Sequence, residues 1–261
     1  WIESYTSGVS AKIWVKLPTI GTTTITVFYG NAIATSESNG DATFIFFDDF
    51  SSGTLDTTTK WTNTGTGSIT GGILTWYGAS GWKYLQTKST FGLGTSIRSK
   101  FRFKGRGTAT GTLFGYRTSQ GGDLVQAMYY GAASESDFRA IKSGGSTQSN
   151  DTNTSTVEHI YHIYRTETPT CKFTIDDVAA TGSPISNAAA IPTVTLSASW
   201  ECNSSTGYGV EIDWAAVLNS NATEPTQGSW SGETYNGESG IFITPVPSSG
   251  IPPLSTSISV S

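Results

Sequence analysis

Charge is scarce in this chain. Only 13% of its 261 residues are Asp, Glu, Lys or Arg, and 15 basic against 20 acidic residues leave a formal net charge of −5. No cluster of Lys and Arg interrupts that balance, which argues against a surface that neutralises nucleic-acid phosphates and against a basic membrane patch. Long hydrophobic runs are missing too, none approaching the roughly 18 residues needed to span a bilayer. Ala/Leu/Glu/Lys stretches that favour helices are nearly absent. Cysteine occurs twice, at Cys171 and Cys202. That count fits one disulfide in an oxidising compartment, and equally two buried free thiols. The chain begins at Trp1, which reads as a processed or truncated start.

What the chain has in quantity is aromatics, 12% of residues, with 30 glycines and abundant Ser and Thr. Twisted sheets joined by many turns need this mixture. Alternating segments at residues 11–18 and 23–31 read as strands with one face buried. So few strands bury too little alone, so residues 1–43 must lean on a following domain or on strands from elsewhere. Asn39-Gly40-Asp41 signals a turn. It hands over to the organising stretch, Ile45-Phe46-Phe47-Asp48-Asp49-Phe50, followed by Leu55-Asp56 and Trp61.

Strand-like segments then recur at 68–77, 82–88, 96–104, 111–117, 124–131, 136–141, 157–166, 171–175, 178–181, 193–200 and 209–218, punctuated by Gly and Asp-Asp turn formers. Short strands at this spacing indicate a sandwich or barrel, closed where residues 45–50 meet the alternating strand Val210-Glu211-Ile212-Asp213-Trp214-Ala215-Ala216-Val217. Residues 143–155 are polar throughout and predict a protruding loop. Pro245, Pro247, Pro252 and Pro253 break residues 221–261 into an extended tail that cannot form a core of its own.

Two resemblances follow from particular residues. Trp1-Ile2-Glu3, Ile13-Trp14-Val15-Lys16-Leu17-Pro18, Phe28-Tyr29-Gly30-Asn31 and Phe47-Asp48-Asp49-Phe50 closely resemble the second half of the DUF2341 domain of archaeal and bacterial surface proteins. From Phe47 to Leu218 the chain is similar to a concanavalin A-like, laminin-G-like jelly roll. Asp49-Phe50, Gly71-Gly72-Ile73-Leu74-Thr75, Phe173-Thr174-Ile175-Asp176 and Ile212-Asp213-Trp214 carry this likeness. It implies an all-β chain: an incomplete N-terminal strand set over 1–43, a concanavalin A-like sandwich over 44–220 and a Pro-rich tail over 221–261.

Some relatives of that jelly roll are laminarinase-type glycoside hydrolases, which place two glutamates and an aspartate along one strand. Retaining hydrolysis needs two carboxyl groups about 5–5.5 Å apart. Glu135-Ser136-Asp137 and Glu211-Ile212-Asp213 both lack the second glutamate. His159 and His162, three apart on a strand, point to opposite faces and cannot share an ion. The resemblance further implies one structural calcium ion held by Asp213, with Asp48 or Asp49 and the carbonyl of Gly72. The alternative is that Asp213 caps backbone amides or pairs with Arg98 or Lys100. Flat rings stack on sugars, so Trp82, Tyr84, Tyr116 and Tyr130 are candidate glycan-binding residues, with core packing as the alternative for each. Asn150, Asn153, Asn203 and Asn221 each head an Asn-x-Ser/Thr acceptor for N-glycosylation.

These features lead to the expectation of a non-catalytic extracellular or cell-surface protein, not an enzyme: a structural or adhesive subunit of a surface assembly. Its partners are further copies or other surface proteins, joined by strand or tail exchange. The second reading is a lectin-like module for an extracellular polysaccharide. A laminarinase-type hydrolase ranks third.

Overall fold

The computed structural model describes residues 1–6, 10–16, 25–29, 35–78, 81–104, 111–118, 122–130, 136–142, 145–151, 157–166, 170–203, 209–219, 230–231, 239–243 and 255–260. In chain order these form β1 (Ile2–Thr6), β2 (Ser10–Lys16), β3 (Ile25–Tyr29), the single-turn α1 (Gly40–Thr43), β4 (Phe46–Asp48), β5 (Trp61–Asn63), β6 (Thr66–Thr70), β7 (Ile73–Tyr77), β8 (Trp82–Thr87), β9 (Thr95–Lys104), β10 (Gly111–Arg117) and β11 (Leu124–Tyr130). There follow β12 (Ser136–Lys142), β13 (Gly145–Asp151), β14 (His159–Arg165), β15 (Cys171–Ile175), β16 (Val178–Ala179), β17 (Ser197–Asn203), β18 (Gly209–Asn219), β19 (Trp230–Ser231), β20 (Ser239–Ile243) and β21 (Ser255–Val260). The fold is all-β, as the composition requires. No described helix is long and apolar enough to cross a membrane.

Two compact units divide the chain, residues 46–222 forming one and residues 1–45 with 223–261 the other. In the smaller unit β2 lies between β1 and β21, and β20 lies between β3 and β19. The partners that the N-terminal strands require are therefore supplied by the chain's own tail. Its proline-rich connections do not prevent strand formation at 239–243 and 255–260, because the prolines fall outside those segments. A small aromatic cluster sits here: the Phe44 ring meets Trp1 edge-on at 5.5 Å and Trp14 at 5.7 Å. At residues 39–41 a helical turn replaces the expected simple turn, because the Asn39 side chain accepts the Ala42 amide and caps α1.

The larger unit is a two-sheet sandwich. One sheet runs β13-β12-β11-β10-β17-β8-β5, and the other runs β16-β15-β14-β9-β18-β7-β6 with β4 also on β18. The two segments singled out by the sequence meet here. Phe46 pairs with Val217, Phe47 with Ala216 and Asp48 with Ala215. β18 follows β9 along its length, and on its other side it exchanges β7 for β4 on either side of a bulge at Asp213. Gly209 opens β18 because a Cβ there would stand 2.1 Å from the Trp76 carbonyl.

Aromatics fill the space between the sheets. Trp61 meets Phe46 at 5.0 Å and Trp200 at 5.7 Å, and Phe114 lies 5.0 Å from Trp200. Phe50, at φ 54, is a non-glycine residue in the left-handed region. Its amide is held by the Asp48 carboxylate at 2.9 Å, and its ring is buried against Trp61. Residues 66–77 form a hairpin rather than one strand, since Gly71 and Gly72 both take positive φ.

Two expectations are corrected here. Residues 145–151 are the edge strand β13, paired with β12, where a loop was expected. An edge strand has no obligatory apolar face, so its polar sequence hides it. The disulfide is absent: Cys171 and Cys202 are buried free thiols. Cys171 lies on β15, level through Arg165 with Thr95, whose hydroxyl receives Tyr116, itself opposite Ala198. Cys202 is four residues further along β17, roughly 13 Å at strand rise, whereas a disulfide needs Cα atoms within about 7 Å. Burial also pushes the Cys171 thiol up to about 12. Thiol titration is therefore expected to find neither cysteine reactive in the native protein and both reactive in denaturant without reductant. Labelling of either native thiol, or a need for reductant, would contradict this.

Candidate functional site

The seven-stranded sheet turns a set of polar side chains away from the core. Along the seven-stranded sheet, Leu85, Phe114, Val125, Phe138, Ala140, Ala198 and Trp200 point inward and are buried in the core. Strict alternation turns the intervening residues to the other side. Registers place Gln86 opposite Ser199, Tyr84 opposite Glu201, and Leu113 on the far side of Glu201. Arg117 pairs with Ser197 at the next level.

On this face Glu201 and Arg117 form a buried ion pair, with Arg117 Nη1 at 2.5 Å from Glu201 Oε2. Ser199 Oγ donates to Glu201 Oε1 at 3.3 Å. Gln86 Nε2 donates to the Arg117 carbonyl at 3.4 Å. Burial raises the Glu201 carboxyl above the usual glutamate range, against the opposing pull of Arg117 and Ser199. Trp82 and Tyr84 stand two residues apart on β8, on the same face, Trp82 36% exposed and Tyr84 half-buried. The result is an aromatic ledge beside a polar floor.

The candidates named from sequence are distributed as follows. Trp82 and Tyr84 belong to this face. Tyr116 does not: it is fully buried in the core, its hydroxyl donating to Thr95 Oγ1 at 3.0 Å, so its assignment to sugar binding is corrected. β10 carries apolar residues on both faces, and sequence alternation could not say which face looks inward. Tyr130 ends β11 opposite Gly111, and its side chain is outside the described residues. Asn150 lies on β13 opposite Asp137, and Asn203 ends β17 opposite Trp82. Asn153 and Asn221 lie outside the described residues.

The carboxylates assigned to calcium each engage a partner within the protein. Asp213 pairs with Lys100 at 2.7 Å, the alternative left open by the sequence. Asp48 accepts Trp61 Nε1 at 2.6 Å and Asp49 accepts Ser51 Oγ at 2.6 Å. Gly72 lies near the Asp49 carbonyl, a Cβ on it standing 3.8 Å away. Among the described residues no group of three or more His, Cys, Asp or Glu side chains converges. A dication there would compete with the Lys100 ammonium for Asp213.

Glu211 lies on β18, ion-paired with Lys104 at 2.8 Å and with Arg102. The Lys104 hydrogen bond draws its carboxyl below the usual range. His159 meets Asp176 at 2.6 Å, whereas His162 contacts Ser96 at 2.8 Å and Arg98 at 3.3 Å. Sequence reasoning missed Glu201, Arg117, Ser199 and Gln86. The signal was present in the alternation Ala198-Ser199-Trp200-Glu201-Cys202, a strand whose core face is apolar and whose other face is polar.

Residues 1–64 match DUF2341, a domain of unknown function, so the match runs from the smaller unit into the start of the sandwich. No curated protein matches the sequence. Solved structures share the fold. An uncharacterized protein from Mycobacterium paratuberculosis superposes with a TM-score of 0.54 at 14% identity, covering 67% of this chain and 100% of its own. A β-1,3-1,4-glucanase, or lichenase, derived from a mouse hindgut metagenome gives 0.53 at 14%, covering 66% and 97%. An immunostimulatory antigen and pseudo β-1,3-glucanase of Mycobacterium tuberculosis gives 0.53 at 12%, covering 68% and 99%. The sandwich is thus of the jelly-roll kind found in β-glucanases.

These neighbours correct the leading functional expectation. A non-catalytic structural or adhesive subunit of a surface assembly, and the statement that the chain is not an enzyme, are both overturned by a fold shared with glucanases and glycosyl hydrolases. Of the readings made from sequence, the carbohydrate one, ranked second, is better backed by this fold.

Proposed function

We propose that the protein engages a polysaccharide on the core-averted face of the seven-stranded sheet, with sugar rings stacked on Trp82 and Tyr84. The observation that carries this reading is the pairing of that aromatic ledge with polar side chains one strand away: Tyr84 stands directly opposite Glu201, and Gln86 opposite Ser199. A sugar offers an apolar C–H face to a ring and hydroxyls at its edge. A stacking residue beside hydrogen-bonding groups satisfies both. The likeness to a lichenase and to a pseudo β-1,3-glucanase supports a β-linked glucan as the first polymer to try. Retaining hydrolysis needs a second carboxyl about 5–5.5 Å from the first, and Glu201 is the buried carboxylate among the described side chains of this face.

Isothermal titration with soluble β-1,3- and β-1,3-1,4-glucans, run beside an assay for released reducing ends, tests the reading. Binding is expected, and Trp82→Ala or Tyr84→Ala should each weaken it roughly tenfold through lost stacking. Reducing-end release would assign hydrolysis to the same face if it fell with the same substitutions. Absence of binding across the panel, or variants that bind as wild type, would refute the site.

A further inference from the structure

Beside the aromatic ledge the hydrogen-bonding groups are not balanced between donors and acceptors. Glu201 has each oxygen engaged once, Oε2 by Arg117 and Oε1 by Ser199. Each carboxylate oxygen keeps a further lone-pair direction, since an ionised carboxylate accepts about four bonds in all. Ser199 Oγ directs its proton to Glu201, so toward a ligand it accepts. Gln86 uses one Nε2 proton on the Arg117 carbonyl, which leaves its Oε1 as an acceptor and one N–H as a donor. Glu201 is directly opposite Tyr84 and Ser199 diagonal to it across β8 and β17, where opposed Cβ atoms stand roughly 4.5–5.5 Å apart, and Gln86 is two residues along β8 on the same face. A ring resting on Tyr84 therefore meets an edge in which acceptor lone pairs, from Glu201, Ser199 and Gln86 Oε1, outnumber the one Gln86 N–H.

The charge of that edge is also fixed. Arg117 at 2.5 Å balances Glu201 within the floor, so the subsite carries no net positive charge to draw an anion. A hydroxyl brings the proton that each acceptor needs. A carboxylate or sulfate brings only more lone pairs, and placing it against buried acceptors leaves both sides unsatisfied.

We infer that the Tyr84 subsite takes an uncharged, hydroxyl-rich sugar residue and rejects one bearing a carboxylate or sulfate. This inference rests on the proposed binding face and adds the charge class of its ligand. Arg139 does not alter it, because that side chain belongs to β12, separated from β17 by β10 and β11. At about 4.8 Å per strand this puts Arg139 some 14 Å away from the Glu201 strand.

The test titrates the full chain with a neutral β-glucan, with the same polymer oxidised at C6 to its uronate, and with chitosan. The neutral polymer is expected to bind at least tenfold more tightly than the uronate, about the cost of leaving a buried acceptor without a donor. Lowering the pH from about 7 to about 5 keeps the uronate ionised but begins to protonate Glu201, so the ratio should shrink. Glu201→Gln should shrink it in the same way, and if that variant fails to fold the pH series on the wild type still decides. Equal or tighter binding of the uronate, or preference for the cationic chitosan, would overturn the inference while leaving the binding face standing. Failure of all three polymers to bind would instead refute the face itself.

Discussion

Arg165→Ala is expected to lower the unfolding free energy by about 4 kcal/mol, close to the upper end for a single substitution. Arg165 is completely buried on β14, and the groups around it are backbone carbonyls rather than a carboxylate. Nη1 donates to the Phe91 carbonyl at 3.1 Å, and Nη2 to those of Pro192 at 3.0 Å and Val194 at 2.7 Å. The guanidinium also lies 4.9 Å above the Tyr116 ring. One side chain thus ties the segment before β9 to the segment before β17, and both segments have few regular strand bonds of their own. Truncation would take the Arg165 donor from the Pro192 and Val194 carbonyls, each costing about 1–3 kcal/mol, while the Phe91 carbonyl keeps the Leu196 amide at 2.9 Å, and would open a cavity beneath Tyr116.

The cation itself is costly to bury. Desolvation pulls the Arg165 pKa below its ordinary value, and Nε has no partner. Arg165→Met fills most of the volume without the charge, so its loss should be about half that of the alanine variant. Urea denaturation of both variants checks this. An alanine variant within about 1 kcal/mol of wild type would show that the carbonyl clamp does not hold the two segments.

Asp48→Ala should cost about 3 kcal/mol, because it removes the acceptor of two buried donors at the point where the sandwich closes. Asp48 Oδ2 takes Trp61 Nε1 at 2.6 Å, and Oδ1 takes the Phe50 amide at 2.9 Å. Trp61 is fully buried between Phe46 and Trp200, so its indole has no water to turn to. Asp48→Asn keeps an acceptor oxygen and should lose less.

The same pair of variants has a pH signature. Burial raises the Asp48 carboxyl above its unfolded value of 3.8, outweighing the hydrogen bonds from Trp61 and Phe50. The folded state therefore binds this proton more tightly than the unfolded state. Its contribution is fully present below 3.8 and is lost as pH rises through the folded pKa. Wild-type stability minus that of Asp48→Asn should accordingly fall with rising pH across this window. Denaturation midpoints at a series of acid pH values measure the difference, and a rise instead of a fall would mean that the hydrogen bonds dominate.

Much of the sandwich could be read from residue order. Segment 111–117 is β10 as expected, and the bounds at 124–131, 171–175 and 209–218 come within a residue or so of the strands. The Asp176-Asp177 turn was marked as well, and both residues do adopt positive φ, at 49 and 66. The last strand before the closing one was placed too early, at 193–200, because Thr193-Val194-Thr195 alternates like a strand. In the fold those residues lie outside β17, and the Val194 carbonyl serves Arg165 instead.

The amino-acid order alone indicated that this chain is built of strands, where most of them start and stop, and that the apolar stretch 45–50 and the alternating strand 210–217 both have to be buried in the sandwich; the pairing of 46–48 with 215–217 is a property of the fold. Those features follow from local preferences: alternation, glycine at turns and aromatic runs that have to be buried. Only the tertiary structure decided that Tyr116 is core while Tyr84 is surface, that the two cysteines are kept apart, that the tail completes the N-terminal strand set, and that Glu201 and Arg117 face each other. Each of these depends on which strand lies beside which and on which face the second sheet covers. Strand pairing joins residues far apart in the chain, and no periodicity within a single strand encodes its neighbour.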